Sequence, residues 1–260
     1  MADATELAGP GSAGAELFGE ELPLAQKYAQ LLTTAGVERG VVGPAEAERI
    51  WDRHLLNCAV VARLIPSRAS LVDLGSGAGL PGIVLAMLLP GAKVALVEAL
   101  ARRVDFLVEC VAQLGLTNVQ VVRGRAEDLA GELVADVVCS RAVAPLDKLA
   151  GLSIGLARPG GRVLAIKGAS ADAELARARP VLARLGVTDA RVSQVGSADG
   201  SVTATVVMFT APDRRGGGAA TRQVSGRPEG RLGGQASGQR GHPGAGASRK
   251  ARPNSRRGGG

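Results

Sequence analysis

The sequence predicts an α/β fold: a parallel, doubly wound sheet with helices on both faces, an antiparallel hairpin closing one edge, and a helical extension in front. Three observations carry that expectation. From Ala69 onward, the short apolar runs ASLVDL, AKVALVE, NVQVV, ADVVCS and GRVLAIKG alternate with longer helical patterns, and continuous Val/Leu/Ile strands belong to a sheet covered on both faces. Between the second and third runs, Val104, Leu107, Val108, Val111 and Leu114 fall on one side of a helix. After Leu185, the extended runs VTDARVSQV and SVTATVVMF are separated only by the turn-forming GSADG, which is the pattern of a hairpin.

The elements follow in order. Residues 1–15 are small and glycine-rich and are expected to lack order. Residues 16–68 read as a helical segment, with Leu24, Tyr28, Leu31 and Leu32 at helical spacing. A second helix is expected from Pro44, a favoured first helical position, to about Leu64, ended by Pro66. The α/β core spans 69–211. Residues 212–260 are Gly, Arg, Pro, Ser and Gln with almost no large apolar side chain, so this tail has too little to bury to offset its ordering entropy and is expected to be disordered.

Composition narrows the function classes. With 260 residues and 46% hydrophobic content, the chain can bury a substantial core. Its formal charge of +7 suggests a polyanion partner until it is divided: residues 1–211 carry 20 basic and 22 acidic side chains, and 212–260 carry 11 and 2. The basic excess therefore belongs to the tail, which reads either as a solvated extension or as an auxiliary RNA-binding arm. Cys58, Cys110 and Cys139 form no CxxC pair, so buried reduced thiols are expected and no metal site is. No basic-then-apolar leader opens the chain and no apolar run is long enough to span a bilayer, which points to the cytoplasm and to no membrane partner.

The chemistry is concentrated in Leu71-Val72-Asp73-Leu74-Gly75-Ser76-Gly77-Ala78-Gly79-Leu80-Pro81-Gly82, a glycine loop between the first strand and a helix. Glycines there allow a tight turn and let a ligand approach backbone N–H groups at a helix start, the Rossmann-like arrangement. Glu98 ends the second strand, where a carboxylate can accept hydrogen bonds from both ribose hydroxyls. These features are shared by dinucleotide enzymes and methyltransferases. Asp73 favours the second class, since a carboxylate suits the cationic aminoacyl group of S-adenosylmethionine and would repel a pyrophosphate. So do the polar Arg125-Ala126-Glu127-Asp128 after the third strand and the closing hairpin, which resembles the antiparallel end of class I methyltransferases.

With these segments together, the chain resembles the RsmG (GidB) family of bacterial small-subunit ribosomal RNA methyltransferases, in particular its actinobacterial members. The resemblance spans about residues 16–210. It rests on Arg53-His54-Leu55-Leu56, DLGSGAGLPGI, Arg102-Arg103-Val104, RGRAEDL, Ser140-Arg141-Ala142-Val143-Ala144-Pro145-Leu146 and Ile166-Lys167-Gly168. It implies methylation of N7 of guanine 527 in 16S rRNA. The cofactor contacts it implies are Gly75 and Leu80 in the loop, Ala126 and Glu127 near the adenine, and Arg141, beside the Asp73, Gly77, Gly79 and Glu98 already read from the motif. Relatives usually carry an acid after the HLL segment, where this chain has Asn57-Cys58.

Guanine N7 is a lone-pair nucleophile with no proton to lose, so the expected mechanism is aligned in-line transfer without a general base. His54, Arg141 and Lys167 are the substrate-positioning candidates. Arg141 and Lys167 end the fourth and fifth strands, where parallel sheets bind ligands. Arg49 with Arg53, Arg102 with Arg103, and Arg123 with Arg125 offer local cations for phosphates. Aromatic content is only 2%, so recognition through shape and backbone, on rRNA or a small-subunit particle, is expected over base stacking. Trp51 is expected to pack between helices, and the chain to act as a monomer. The rival readings are a class I methyltransferase acting on another substrate and a non-catalytic RNA-binding scaffold.

Overall fold

The computed structural model describes residues 9–213 and 222–223. The disorder expected for residues 1–8 and for most of the tail, 214–221 and 224–260, lies outside the described residues. The described residues all fall in the first of two units of the chain, Met1–Pro228.

Helical structure begins earlier than the composition suggested. Helix α1 is Gly11–Phe18, with Ala13, Gly14 and Phe18 buried. Its small residues allow close packing where composition suggested disorder, and Phe18 meets Trp51 edge-on with ring centroids 6.2 Å apart. After a 3₁₀ turn come α2 (Leu22–Thr33) and α3 (Ala35–Glu38). The single helix expected from Pro44 to Leu64 is instead a series of short pieces. These are α4 (Pro44–Ala47), a π-helical turn (Ile50–Leu55), α5 (Leu56–Ala59) and a 3₁₀ stretch (Val60–Leu64). The chain bends at Arg49, with φ −114° and ψ 23°, and the wider π turn sends Ile50, Trp51, His54 and Leu55 inward together.

The core then runs β1 (Ser70–Leu74), α6 (Gly82–Leu88), β2 (Lys93–Glu98), α7 (Ala101–Leu114), β3 (Val119–Arg123), α8 (Ala126–Leu129), β4 (Leu133–Arg141), α9 (Leu146–Leu156), β5 (Ala157–Lys167), α10 (Ala171–Arg184), β6 (Arg191–Gly196) and β7 (Thr203–Thr210). Strand order is β3-β2-β1-β4-β5-β7-β6. The first five strands are parallel, while β7 runs antiparallel to both β5 and β6. The closing hairpin is therefore present, with its second strand inserted beside β5. In the tail, Arg222–Gln223 (β8) pairs in parallel with Leu133 and Val134 of β4.

Alternation along each strand splits the core. Leu71, Val94, Leu96, Cys139 and Leu164 face the N-terminal helices, α6 and α7. Val72, Leu74, Ala95, Val138 and Val163 face α9 and α10. Helices thus cover both faces, as the uninterrupted apolar strands require. One expected core position is corrected: Val108 is 52% exposed, and α7 buries Phe106, Leu107, Cys110 and Leu114 instead. The inward stripe of α7 includes Phe106 and Cys110, a turn position away from the stripe that counts Val108. Cys58, Cys110 and Cys139 are all buried free thiols.

Candidate active site

The glycine loop connects the end of β1 to α6. Gly75, Gly77 and Gly79 have φ of 68°, 58° and 94°, values that side chains disfavour, so glycine is required at each. Ser76 anchors the turn: its N–H donates to Val97 O, its hydroxyl donates to Asp73 O (3.0 Å), and its carbonyl accepts from Gly79 and Leu80. From the N-terminal segment, the buried Tyr28 hydroxyl donates to Ala78 O at 2.6 Å. The helical spacing of Tyr28 gives no sign of this contact. A Cβ placed on Gly77 would meet nothing nearer than Gly75 O at 3.9 Å, so the space in front of Gly77 is open to a ligand.

Both acids expected at the cofactor site do structural work on this loop. Asp73 is fully buried and its Oδ2 accepts from Gly82 N–H at 3.0 Å, at the start of α6. Its Oδ1 is buried with no hydrogen-bond partner among the described residues. Burial pushes its carboxyl up to about 7. Glu98 accepts from Gly77 N–H at 3.0 Å and Leu100 N–H at 2.9 Å, with Arg103 at 3.7 Å. Ala126 is buried at the first position of α8 and Glu127 beside it is exposed; Gly124 N–H bonds to Glu98 O and brings this segment next to the loop. Leu80 is half-buried behind the glycines. A buried carboxylate oxygen in need of a donor, a second carboxylate at the next strand end and open space in front of Gly77 fit a cofactor with a cationic aminoacyl arm and a ribose.

Beside the loop lies a cleft of about 740 Å³ at the C-terminal ends of β4 and β5, lined among others by Arg53, Asn57, Arg141, Val143, Lys167 and Arg177. Val143 joins the two regions: it lines the cleft and also lies against Gly75, where a Cβ would come within 2.8 Å of it. Ala142, between Val143 and Arg141, has φ 53°, a strained conformation costing about 1–3 kcal/mol and the kind concentrated at functional turns.

The structure brings the three substrate-side candidates to this cleft in different ways. The Arg141 guanidinium bonds to His54 Nδ1 and reaches Cys58 Sγ at 3.5 Å. It is thus turned toward the N-terminal segment, and Arg141 also lines the cleft. His54 is buried and does not line the cleft; it stands behind Arg141, with Nε2 2.6 Å from Glu46 Oε2. Burial, followed by the Arg141 charge, holds the imidazole below its ordinary pKa. Lys167 lines the cleft, but its ammonium is 2.8 Å from Glu174 Oε2 and donates to Ala144 O at 2.9 Å. Asn57 donates from Nδ2 to Thr203 O at 3.0 Å, a bond the family's usual carboxylate could not make; the amide ties the cleft wall to β7. Trp51 is buried against Phe18, in a packing role. Of the paired arginines, Arg53 lines the cleft and Arg103 is held by Glu98.

Glu46, Cys58 and Glu174 were missed as site neighbours. Nothing local marks them: Glu46 and Cys58 reach Arg141's surroundings from a segment more than 80 residues away in sequence.

Comparison with known proteins supplies the decision. The family model GidB, described as rRNA small subunit methyltransferase G, matches residues 21–203. The chain belongs to this family. It is a methyltransferase whose methyl donor is S-adenosylmethionine. Proteins named Ribosomal RNA small subunit methyltransferase G include one from Thermobifida fusca, 54% identical over 206 residues that cover 79% of this chain and 87% of that one. Another, from Salinispora tropica, is 58% identical over 182 residues covering 67% and 75%. A third, from Streptomyces coelicolor, is 46% identical over 218 residues covering 84% and 91%. Among solved structures, TYW2 of P. horikoshii in complex with MeSAdo superposes with a TM-score of 0.50 at 15% identity, over 62% of this chain and 63% of that one. At that identity the likeness shows the shared fold alone, the class I methyltransferase architecture.

Proposed function

We propose that this GidB-family protein, acting as a monomer, methylates N7 of guanine 527 in 16S rRNA, free or within the small-subunit particle. One observation carries the reading: a cation-bearing cleft at the ends of β4 and β5 adjoins the glycine loop at Val143, which lines the cleft and lies against Gly75. A base entering that cleft would lie next to a cofactor held by the loop. Bound there, S-adenosylmethionine supplies a methyl group already activated by its sulfonium charge.

The residues of the chain then have one task, alignment. Asp73 would receive the aminoacyl ammonium, Glu98 the ribose, and Ala126 and Glu127 would frame the adenine, with Leu80 contacting the cofactor from the loop and Gly75, Gly77 and Gly79 allowing close approach. Arg141 and Lys167 would hold the target nucleotide. Their partners suit them to this and not to proton transfer: the His54 imidazole is engaged at both nitrogens and the Lys167 ammonium is paired with Glu174. N7 needs no base, and positioning with exclusion of water can supply about 7–11 kcal/mol of the barrier.

The test is mass spectrometry of 16S rRNA digests from a deletion strain and from that strain carrying this gene. N7-methylguanosine at position 527 should disappear and return. Its persistence in the deletion strain would sink the assignment, whereas methylation of a different nucleotide would keep the enzyme and change its target.

A further inference from the structure

We infer that Glu46 is a positioning residue for methyl transfer: it fixes the tautomer of His54, and His54 in turn holds the Arg141 guanidinium in the cleft. The inference rests on the cleft being the substrate site, as proposed above.

The argument begins with donors and acceptors. Arg141 can only donate, so the His54 Nδ1 that meets it must carry a lone pair. The ring proton is then on Nε2, which faces Glu46 Oε2 at 2.6 Å. Carboxylate, neutral imidazole and guanidinium form one chain of hydrogen bonds, each partner fixing the next. The second Glu46 oxygen lies 3.3 Å from Arg53 Nη1, so one carboxylate holds two cations that line the cleft, Arg53 directly and Arg141 through the imidazole.

The backbone is shaped to make this contact. Residues eight apart on a continuous α-helix are separated by about 12 Å along its axis, far beyond hydrogen-bonding reach. The bend at Arg49 and the π turn that follows fold Glu46 back over His54. An irregularity that costs helical hydrogen bonds is thus the feature that makes the Glu46–His54 bond possible.

The same chain predicts an acid-sensitive site. The charged groups facing His54 are Glu46 from α4, Arg53 from its own turn and Arg141 from β4, with the buried Cys58 thiol of α5 against Arg141. Protonation of His54 would put a donor on Nδ1 against a donor, and a positive charge against a positive charge. Arg141 would be released. Burial and Arg141 make this protonation harder and Glu46 makes it easier, so removing the Glu46 charge should move it to lower pH.

The experiment uses the full chain, which has two histidines, His54 and His242. In a His242→Gln background, nitrogen NMR of the imidazole should show the Nε2–H tautomer and a titration below the ordinary histidine range. Glu46→Gln should shift that titration lower, and the acid limb of methyl transfer to small-subunit particles should follow it. Glu46→Ala should lower kcat about tenfold, part of the ~10²-fold that ångström-scale misplacement costs, with the Kd for S-adenosylmethionine unchanged. An Nδ1–H tautomer in the parent, or a Glu46→Gln protein whose titration and acid limb both stay put, overturns the inference. Should Glu46→Ala fail to fold, the glutamine variant decides. The NMR arm needs no RNA: the expected tautomer and shift in a protein that leaves guanine 527 unmethylated would refute the substrate assignment and not the role of Glu46 toward His54.

Discussion

The cofactor loop and the cleft open at the same edge of one sheet, yet they are assembled differently. Nearly every bond shaping the loop is made within residues 73–82 or with Glu98 and Val97 on the adjoining strand. The cleft instead depends mainly on partners remote in sequence: Arg141 on His54 and Cys58, and Asn57 on Thr203. One region is held by backbone geometry that only glycine permits, the other by side chains that constrain each other. Damage to the loop should therefore appear as lost stability and cofactor affinity, and damage to the cleft as lost turnover.

The sharpest test of that division is Arg141→Ala. It should reduce methyl transfer about 10²-fold while the melting temperature and the Kd for S-adenosylmethionine hold steady, and His54→Ala should act in the same direction but less. Radiolabelled methyl transfer and calorimetry on the same preparations make the comparison. A fall in cofactor affinity at unchanged kcat would move Arg141 to the cofactor side and erase the division.

On the loop side, Gly82→Ala should do the reverse. Its Cβ would collide with Leu96 Cδ2 and come within 2.6 Å of Asp73 Oδ2 in a fully buried place. Overpacking of this kind costs about 1–3 kcal/mol, so thermal denaturation should register a lower midpoint together with weaker cofactor binding. Wild-type values for both would show that the loop tolerates what its packing forbids.

A further contrast concerns pH. Asp73 has a folded pKa of about 7, raised from 3.8 by burial. The folded cofactor-free protein then binds this proton more tightly than the unfolded chain. Its contribution to stability is full below about pH 4 and is lost as pH rises through about 7. Asp73→Asn should flatten that slope in the cofactor-free melting curve. An ammonium placed beside Asp73 favours its charged form, so cofactor binding near pH 6 should release a proton, detectable as a calorimetric enthalpy that varies with buffer ionisation heat. A buffer-independent enthalpy would remove Asp73 from direct contact with the cofactor.

How much of this could be read in advance follows the same line. Gly75, Gly77, Gly79, Asp73 and Glu98 were legible because strand, turn and helix follow one another in sequence and the loop is closed by its own neighbours. The parallel strands were legible because burial on both faces favours apolar runs, such as residues 137–139 and 163–166. The extension was read less well. Its apolar spacing indicated helix but not the bend at Arg49 or the π turn, since backbone irregularity there is stabilised by what the turn packs against. His54 was legible as a substrate-positioning candidate, but not its buried place behind Arg141; Glu46 and Glu174 carried no local mark.

By itself, then, the sequence determined the order of elements, the placement of the glycine loop and the acids beneath it, because steric and burial requirements act between near neighbours. Only the tertiary structure decided what each charged side chain pairs with. Arg141 meets His54, and His54 meets Glu46, because a broken helix folds back on itself and lies across the end of β4. Hydrogen bonds between groups 87 residues apart depend on the packing of whole elements, which no local pattern encodes.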